Sequence, residues 1–160
     1  MIMKDEFHSL TIGLALLASL ITTSAQDASA LPVGLFTSQT DVGAPALKGA
    51  AVYNAGRQTY SVSGAGKNMW FGQDEFHFVW KRMKGDFILC ARAEFIGQGV
   101  NAHRKLGWMA RATLETGSPH INAVVHGDGL TSLQFRRTDG ADTEERKSTL
   151  GGADVIQLER

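Results

Sequence analysis

The sequence has a single cysteine in 160 residues, Cys90, so the chain cannot form an internal disulfide. A lone thiol between Leu89 and Ala91, with no histidine motif beside it, reads as a small packed residue rather than a nucleophile. An excess of either charge is also missing, since 16 basic residues face 16 acidic ones. A general nucleic-acid binder needs a concentrated basic surface to replace phosphate counterions, and a balanced chain argues against one. No internal repeat, low-complexity tract or charge block breaks the sequence, which predicts a single globular unit. The common catalytic signatures are absent too: there is no G-x-S-x-G elbow for a serine hydrolase and no H-E-x-x-H for a zinc protease. Gly64-Ala65-Gly66-Lys67 invites a phosphate-loop reading. However, Ser61 stands where the first glycine belongs and Asn68 where a serine or threonine belongs, so a turn before a strand explains it better.

What is present begins with Met1–Ala30, which reads as a helical secretory signal peptide. Lys4 precedes an uncharged run from Ser9 to Ala25, and small residues offer cleavage after Ala25 or Ala30. That run is too short for a stable membrane span. Export to the periplasm, the cell surface or the medium is the expectation. Cleavage at Ala30 removes Lys4, Asp5, Glu6 and Asp27 and leaves 15 basic against 13 acidic residues, still nearly neutral. Residues 31–160 are then one domain, large enough for a real core.

The stretch from Lys105 to Arg137 organises this domain. Leu106, Trp108 and Ala110 alternate with Lys105, Gly107, Met109 and Arg111, a period of two that predicts a strand. Gly117-Ser118-Pro119 ends it. Ile121, Ala123 and Val125 then share one side, with His120, Asn122 and His126 on the other, and Gly127-Asp128-Gly129 reverses the chain into Leu130–Arg137. Upstream, Val33–Phe36 and Ala50–Asn54 predict short edge strands separated by a turn around Asp41–Pro45. Gln58–Ser63 alternates with Tyr60 and Val62 on one side. Phe76, Phe78 and Trp80 share a face opposite His77 and Val79, and Phe87, Leu89, Ala91, Ala93 and Phe95 form a continuous apolar side. Lys81–Lys84 is a solvated basic turn, Thr138–Lys147 a charged connection, and Val155–Arg160 the start of another strand.

Binding chemistry concentrates in two places. The aromatic segment Met69–Trp80 offers Trp70 as a flat ring able to cover the C–H surface of a pyranose, with Asn68 beside it to donate to and accept from hydroxyls, and His77 further along. Alternation also puts Arg111, His126, Gln134 and Arg136 on one face of a sheet, a donor-rich set suited to hydroxyls or a carboxylate. The bland alternatives are packed rings and a salt-bridged face. No metal site is predicted, because His120 and His126 lie roughly 20 Å apart along an extended strand. No cofactor is called for either, although a structural calcium stays open.

The run GWMARATLETGSPHINAVVHGDGLTSLQFRR resembles the "G-apolar-apolar-x-R … H … G-x-G-hydrophobic-x-x-Q-x-R" strands of a family of concanavalin A-like β-sandwich domains of unassigned function. These occur in secreted bacterial proteins, often ahead of a TolB-like β-propeller, and are kin to lectin and glucanase sandwiches. The upstream NMWFGQDEFHFVWKRMKGDFILCARAEFIGQG is similar to earlier strands of the same domain, so the likeness covers about residues 35 to 160. It implies an all-β, antiparallel jelly-roll sandwich. It also implies that the copy is C-terminally incomplete, since family sequences continue past a VIQLER-like strand. Related glucanases carry their carboxylates in a pattern like E-x-D-x-x-E, which is missing here. Asp74 and Glu75 are adjacent and would point to opposite faces, and Glu94 and Glu115 lack an acidic companion two residues away. The expectation is therefore a non-catalytic, lectin-like module for carbohydrate or cell-envelope glycan. A structural domain docking a β-propeller is the alternative, and a glycoside hydrolase relative ranks behind both. No nucleic acid is expected as a partner, and no stable membrane span after signal cleavage.

Overall fold

The computed structural model describes residues 32–160, and the expected signal peptide lies outside them. Ten strands make up an all-β, antiparallel chain: β1 (Ser38–Val42), β2 (Ala50–Asn54), β3 (Thr59–Ser63), β4 (Phe76–Trp80), β5 (Ile88–Arg92), β6 (Lys105–Arg111), β7 (His120–His126), β8 (Thr131–Arg136), β9 (Glu144–Lys147) and β10 (Val155–Glu159). There is no helix among the described residues, hence none long and apolar enough to cross a membrane.

Strands β6-β7-β8-β9 form a four-stranded sheet in sequence order, and its register follows the expected alternation. Trp108, Ala123 and Leu133 make one apolar rung, while Met109, Asn122, Gln134 and Glu145 make a polar rung of the opposite parity. Side chains two apart share a face, so this register gives the sheet one apolar and one polar side. The β7–β8 reversal uses Gly129 at φ +91°, a conformation glycine adopts without steric cost. The pair β5–β10 lies by the apolar side, where Trp108 Nε1–H donates to Ile156 O at 3.2 Å and Ile156 and Leu158 are buried. The remaining strands pair as β1–β4 and β2–β3.

Several segments differ from their sequence reading. Val33–Phe36 is a tight reversal closed by two backbone hydrogen bonds, with Gly34 at φ +60°, and the first strand is Ser38–Val42. Polar residues hold that strand in place. Gln39 bonds both the N–H and the C=O of Ala51, and Asp41 accepts from Gly49 N–H, so β1 side chains grip the start of β2. Glu144–Lys147 is a strand rather than a connection. It takes the outer edge beside β8, where one side of the ladder is open to water and charge is tolerated. The strand expected at Val155–Arg160, by contrast, is present as Val155–Glu159 and is paired along its length with β5. Cys90 is exposed instead of packed, because it shares parity with Ile88 and Arg92 while Leu89 and Ala91 turn inward.

Candidate functional site

The polar side of the four-stranded sheet is covered by the segment that leads into β4. Asp74 is the reason. Its carboxylate is fully enclosed and accepts two hydrogen bonds from Arg136, Nη1–H to Oδ2 at 2.9 Å and Nη2–H to Oδ1 at 2.7 Å. Arg111 Nη2 adds a contact at 3.2 Å and His120 Nδ1 lies 3.8 Å away. Register explains the convergence, since Arg111, His120 and Arg136 are direct partners across β6, β7 and β8. Two guanidiniums against one carboxylate leave an excess of positive charge, which backbone carbonyls offset. Arg136 donates to the carbonyls of Ala141, Thr116, Ser118 and Phe71, and Arg111 to those of Thr113 and Glu115. All five N–H groups of Arg136 have acceptors, and Thr143 Oγ1 is a further one beside Nη2.

Each candidate residue can now be placed. Arg111, His126, Gln134 and Arg136 do share one face, but that face is covered rather than open. The side chains of Arg111 and Arg136 are 2% and 0% exposed, so neither presents donors to a ligand from solvent. Arg111 also lies 5.2 Å from the centre of the Phe76 ring, over its face. At the other end of the sheet His126 Nδ1–H donates to Leu130 O at 2.9 Å, and Gln134 Nε2–H reaches Glu145 Oε1 at 2.9 Å and His126 Nε2 at 3.4 Å. Asn68 is exposed, and its Oδ1 accepts from Met69 N–H at 2.8 Å and Lys105 Nζ at 3.2 Å. Trp70 is half-buried. His77 belongs elsewhere: it sits on the β1–β4 pair with its side chain 3% exposed, Nδ1 2.8 Å from Asp41 Oδ1 and Nε2 3.1 Å from Gln39 Oε1.

Sequence reasoning missed two residues. Asp74 was weighed only as half of a carboxylate pair, and no periodicity could show it reaching arginines 37 and 62 positions away. Phe71 is the ring that faces solvent, 65% exposed, whereas the choice from sequence was Trp70. Its flanking glycine was the available signal. Gly72 passes so close to Gly140 O that an added Cβ would lie 2.4 Å from that oxygen, which marks the loop as pressed against the chain after β8.

Burial sets the electrostatics of the two histidines. It pulls the pKa of His120 below the ordinary value, with Asp74 opposing and Arg136 assisting, and it does the same to His126, with Lys105 assisting. Glu145 shows the reverse balance. Burial works against its charge, but the hydrogen bond from Gln134 and the charge of Lys147 hold its pKa below the usual carboxylate range. The sign for stability follows. A base whose folded pKa is depressed is matched by an unfolded chain that takes up the proton first, so stability is full above about pH 6.5 and falls on acidification below it. Glu145 adds a second loss at lower pH, as its carboxylate protonates. The urea midpoint should therefore hold above about pH 6.5 and fall from there to about pH 5.5, above the carboxylate range. A flat midpoint across that window would mean that both histidines accept protons in the folded state without cost.

Compared with known proteins, the chain matches no family model, no curated protein and no solved structure.

Proposed function

We propose that this chain is a non-catalytic, lectin-like carbohydrate-binding module of an exported or cell-envelope protein, with a concanavalin A-like jelly-roll sandwich as its scaffold and the Asn68–Phe71 loop as its sugar-contacting surface. The carrying observation is the exposed ring of Phe71 on a fastened loop. Asp74 anchors the segment from below, Thr143 N–H donates to Trp70 O at 2.8 Å, and Thr143 Oγ1–H donates to Met69 O at 2.9 Å. A ring held still in water loses little entropy when a pyranose covers it, and a flat aromatic face suits the sugar's C–H surface. Asn68 Oδ1 is engaged by Met69 and Lys105, so its amide N–H groups are what it offers a hydroxyl. The arginines touch no solvent here; Arg136 serves this surface only from below, by holding Phe71 O and Asp74.

Glycan-array binding by the chain, repeated with Phe71→Ala and Trp70→Ala, tests the reading. Losing the stacked Phe71 ring removes a contact worth roughly 1.4 kcal/mol, so Phe71→Ala should bind about tenfold more weakly while keeping its melting temperature. Unchanged binding in both variants, or a folded sample silent on every glycan, sinks it. A second reading has its own support: Ile96 and Val100 stand exposed in the connection between β5 and β6, as a surface that docks another domain would present them. Binding to a purified TolB-like propeller in place of glycan would favour that interaction module. The hydrolase reading weakens, because Asp74 is enclosed by guanidiniums where no glycosidic bond can reach it.

A further inference from the structure

The polar face beneath the loop carries three buried acceptors with no donor among the described residues, His120 Nε2, Asn122 Oδ1 and Gln134 Oε1, and beside them a Ser132 hydroxyl that also has no partner. The three acceptor residues are 5%, 1% and 1% exposed. Asn122 and Gln134 are direct cross-strand partners, and His120 stands two residues from Asn122 on the same face. Neighbouring bonds fix two of the orientations. His120 Nδ1 faces Ser118 O at 3.4 Å and Asp74 Oδ2 at 3.8 Å, both acceptors, so Nδ1 carries the ring proton and Nε2 is a bare lone pair. Gln134 must present its nitrogen to Glu145 and to His126 Nε2, because His126 has committed its own proton to Leu130 O. Turning that amide would set oxygen against a carboxylate and a lone pair. Asn122 Nδ2 meets only Met69 Sδ at 3.9 Å, and Met69 caps it from the covering loop.

His120 Nε2 and Gln134 Oε1 each lack a hydrogen, and the unpaired Ser132 hydroxyl on the same face can give or take one. A cationic guest could supply hydrogens, but Arg111, Arg136 and Lys105 already line this face and would repel it. An anionic guest has none to give. Neutral O–H groups meet the demand, and buried polar seams are the usual seats of ordered water with several hydrogen bonds. We propose that the seam between the β7–β8 face and the Met69–Asp74 segment binds neutral hydroxyl donors, supplied either by enclosed water or by a polyol hydroxyl. This inference stands independently of the sugar-stacking loop.

Nuclear magnetic resonance on the full chain tests it, with water-selected Overhauser transfer to the Asn122 and Gln134 amide protons and the His120 ring. A Ser132→Ala background removes relay through that hydroxyl. The expected result is transfer of the sign given by long-lived bound water, together with a His120 Nε2 shift typical of a hydrogen-bonded acceptor. Asn122→Leu should lose the signal at position 122 and keep it at His120. Glucose, added as the probe polyol, separates the two sources. Water transfer that is replaced by glucose transfer assigns the donors to sugar hydroxyls, and water transfer that persists assigns them to enclosed solvent. No transfer from water or glucose to any of the three side chains, or a His120 proton found on Nε2, overturns the proposal.

Discussion

Asp74→Ala is expected to cost about 3–5 kcal/mol in an equilibrium denaturation experiment, because it removes the one anion from a buried site that holds two guanidiniums. Taking a charge out of water is expensive. Arg136 and Arg111 recover that expense through Asp74 and through carbonyls whose positions depend on the same cluster. Without the carboxylate the positive charges repel across an enclosed space, and the segment that bonds Arg136 through Phe71 O loses its anchor. Domains of this size have only about 5–15 kcal/mol of stability, so the variant stands near the threshold of folding. Asp74→Asn keeps the shape and an acceptor while removing the charge, and should lose less than the alanine variant. Combining Asp74→Leu with Arg136→Met removes a matched pair. It should cost less than the sum of its two single changes, which is the signature of coupling in a double-mutant cycle. A loss below about 1 kcal/mol for Asp74→Ala would show that the cluster is solvated in the folded protein.

The strands that alternate cleanly were legible in the sequence, and the reason is register. From Lys105 to Arg136 each residue has neighbours two positions away on the same face, so parity alone put Leu106, Trp108 and Ala110 on one side and Arg111, His120 and Arg136 on the other. Strand β1 was not legible, because Ser38–Val42 has no apolar alternation. What makes it a strand is pairing with Phe76–Trp80 and the grip of Gln39 and Asp41 on Gly49 and Ala51. Strand β9 was hidden for a related reason. Glu144 and Lys147 look like a solvated connection until β8 supplies the ladder they complete.

Parity also decided how much of the site could be read. It brought Arg111, His126, Gln134 and Arg136 together, yet it says nothing of what lies over a face. A row of arginine, histidine and glutamine reads as a binding surface when open and as a buried network when covered, and the difference here is the segment carrying Asp74, which alternation does not place. His77 shows the opposite limit. Its type and its aromatic neighbours suggested a ligand, but Gly49 and Gly64 crowd it so closely that a Cβ at either would lie 2.2 Å or 2.9 Å from its side chain, and its nitrogens face Asp41 and Gln39.

Gly107→Ala is expected to cost about 1–3 kcal/mol or somewhat more, although alanine is not a large residue and the position lies within a strand. The obstacle is space rather than backbone torsion, since Gly107 is not among the residues with positive φ. A Cβ there would lie 2.0 Å from Ala123 O and 2.9 Å from Val124 Cα, both backbone atoms of β7, which cannot swing aside as a flexible side chain would. Relief requires β6 to move away from β7, loosening the ladder that aligns Arg111 with His120 and Lys105 with His126. The polar face should then be disturbed at both ends by a methyl group in the middle of its first strand. Gly56→Ala serves as the control. It lies in the β2–β3 turn, its added Cβ meets only Asn54 Oδ1 at an ordinary 3.5 Å, and the left-handed position of that turn is Gln58 at φ +52°. Alanine at 56 restricts the unfolded chain without straining the folded one, so it should be neutral or stabilising by up to about 1 kcal/mol. Equal denaturation midpoints for the two variants would mean that β6 does not sit as closely on β7 as Gly107 requires. A loss confined to Gly107→Ala would identify this glycine as the close-approach point on which the four-stranded sheet, and the polar face it carries, depends.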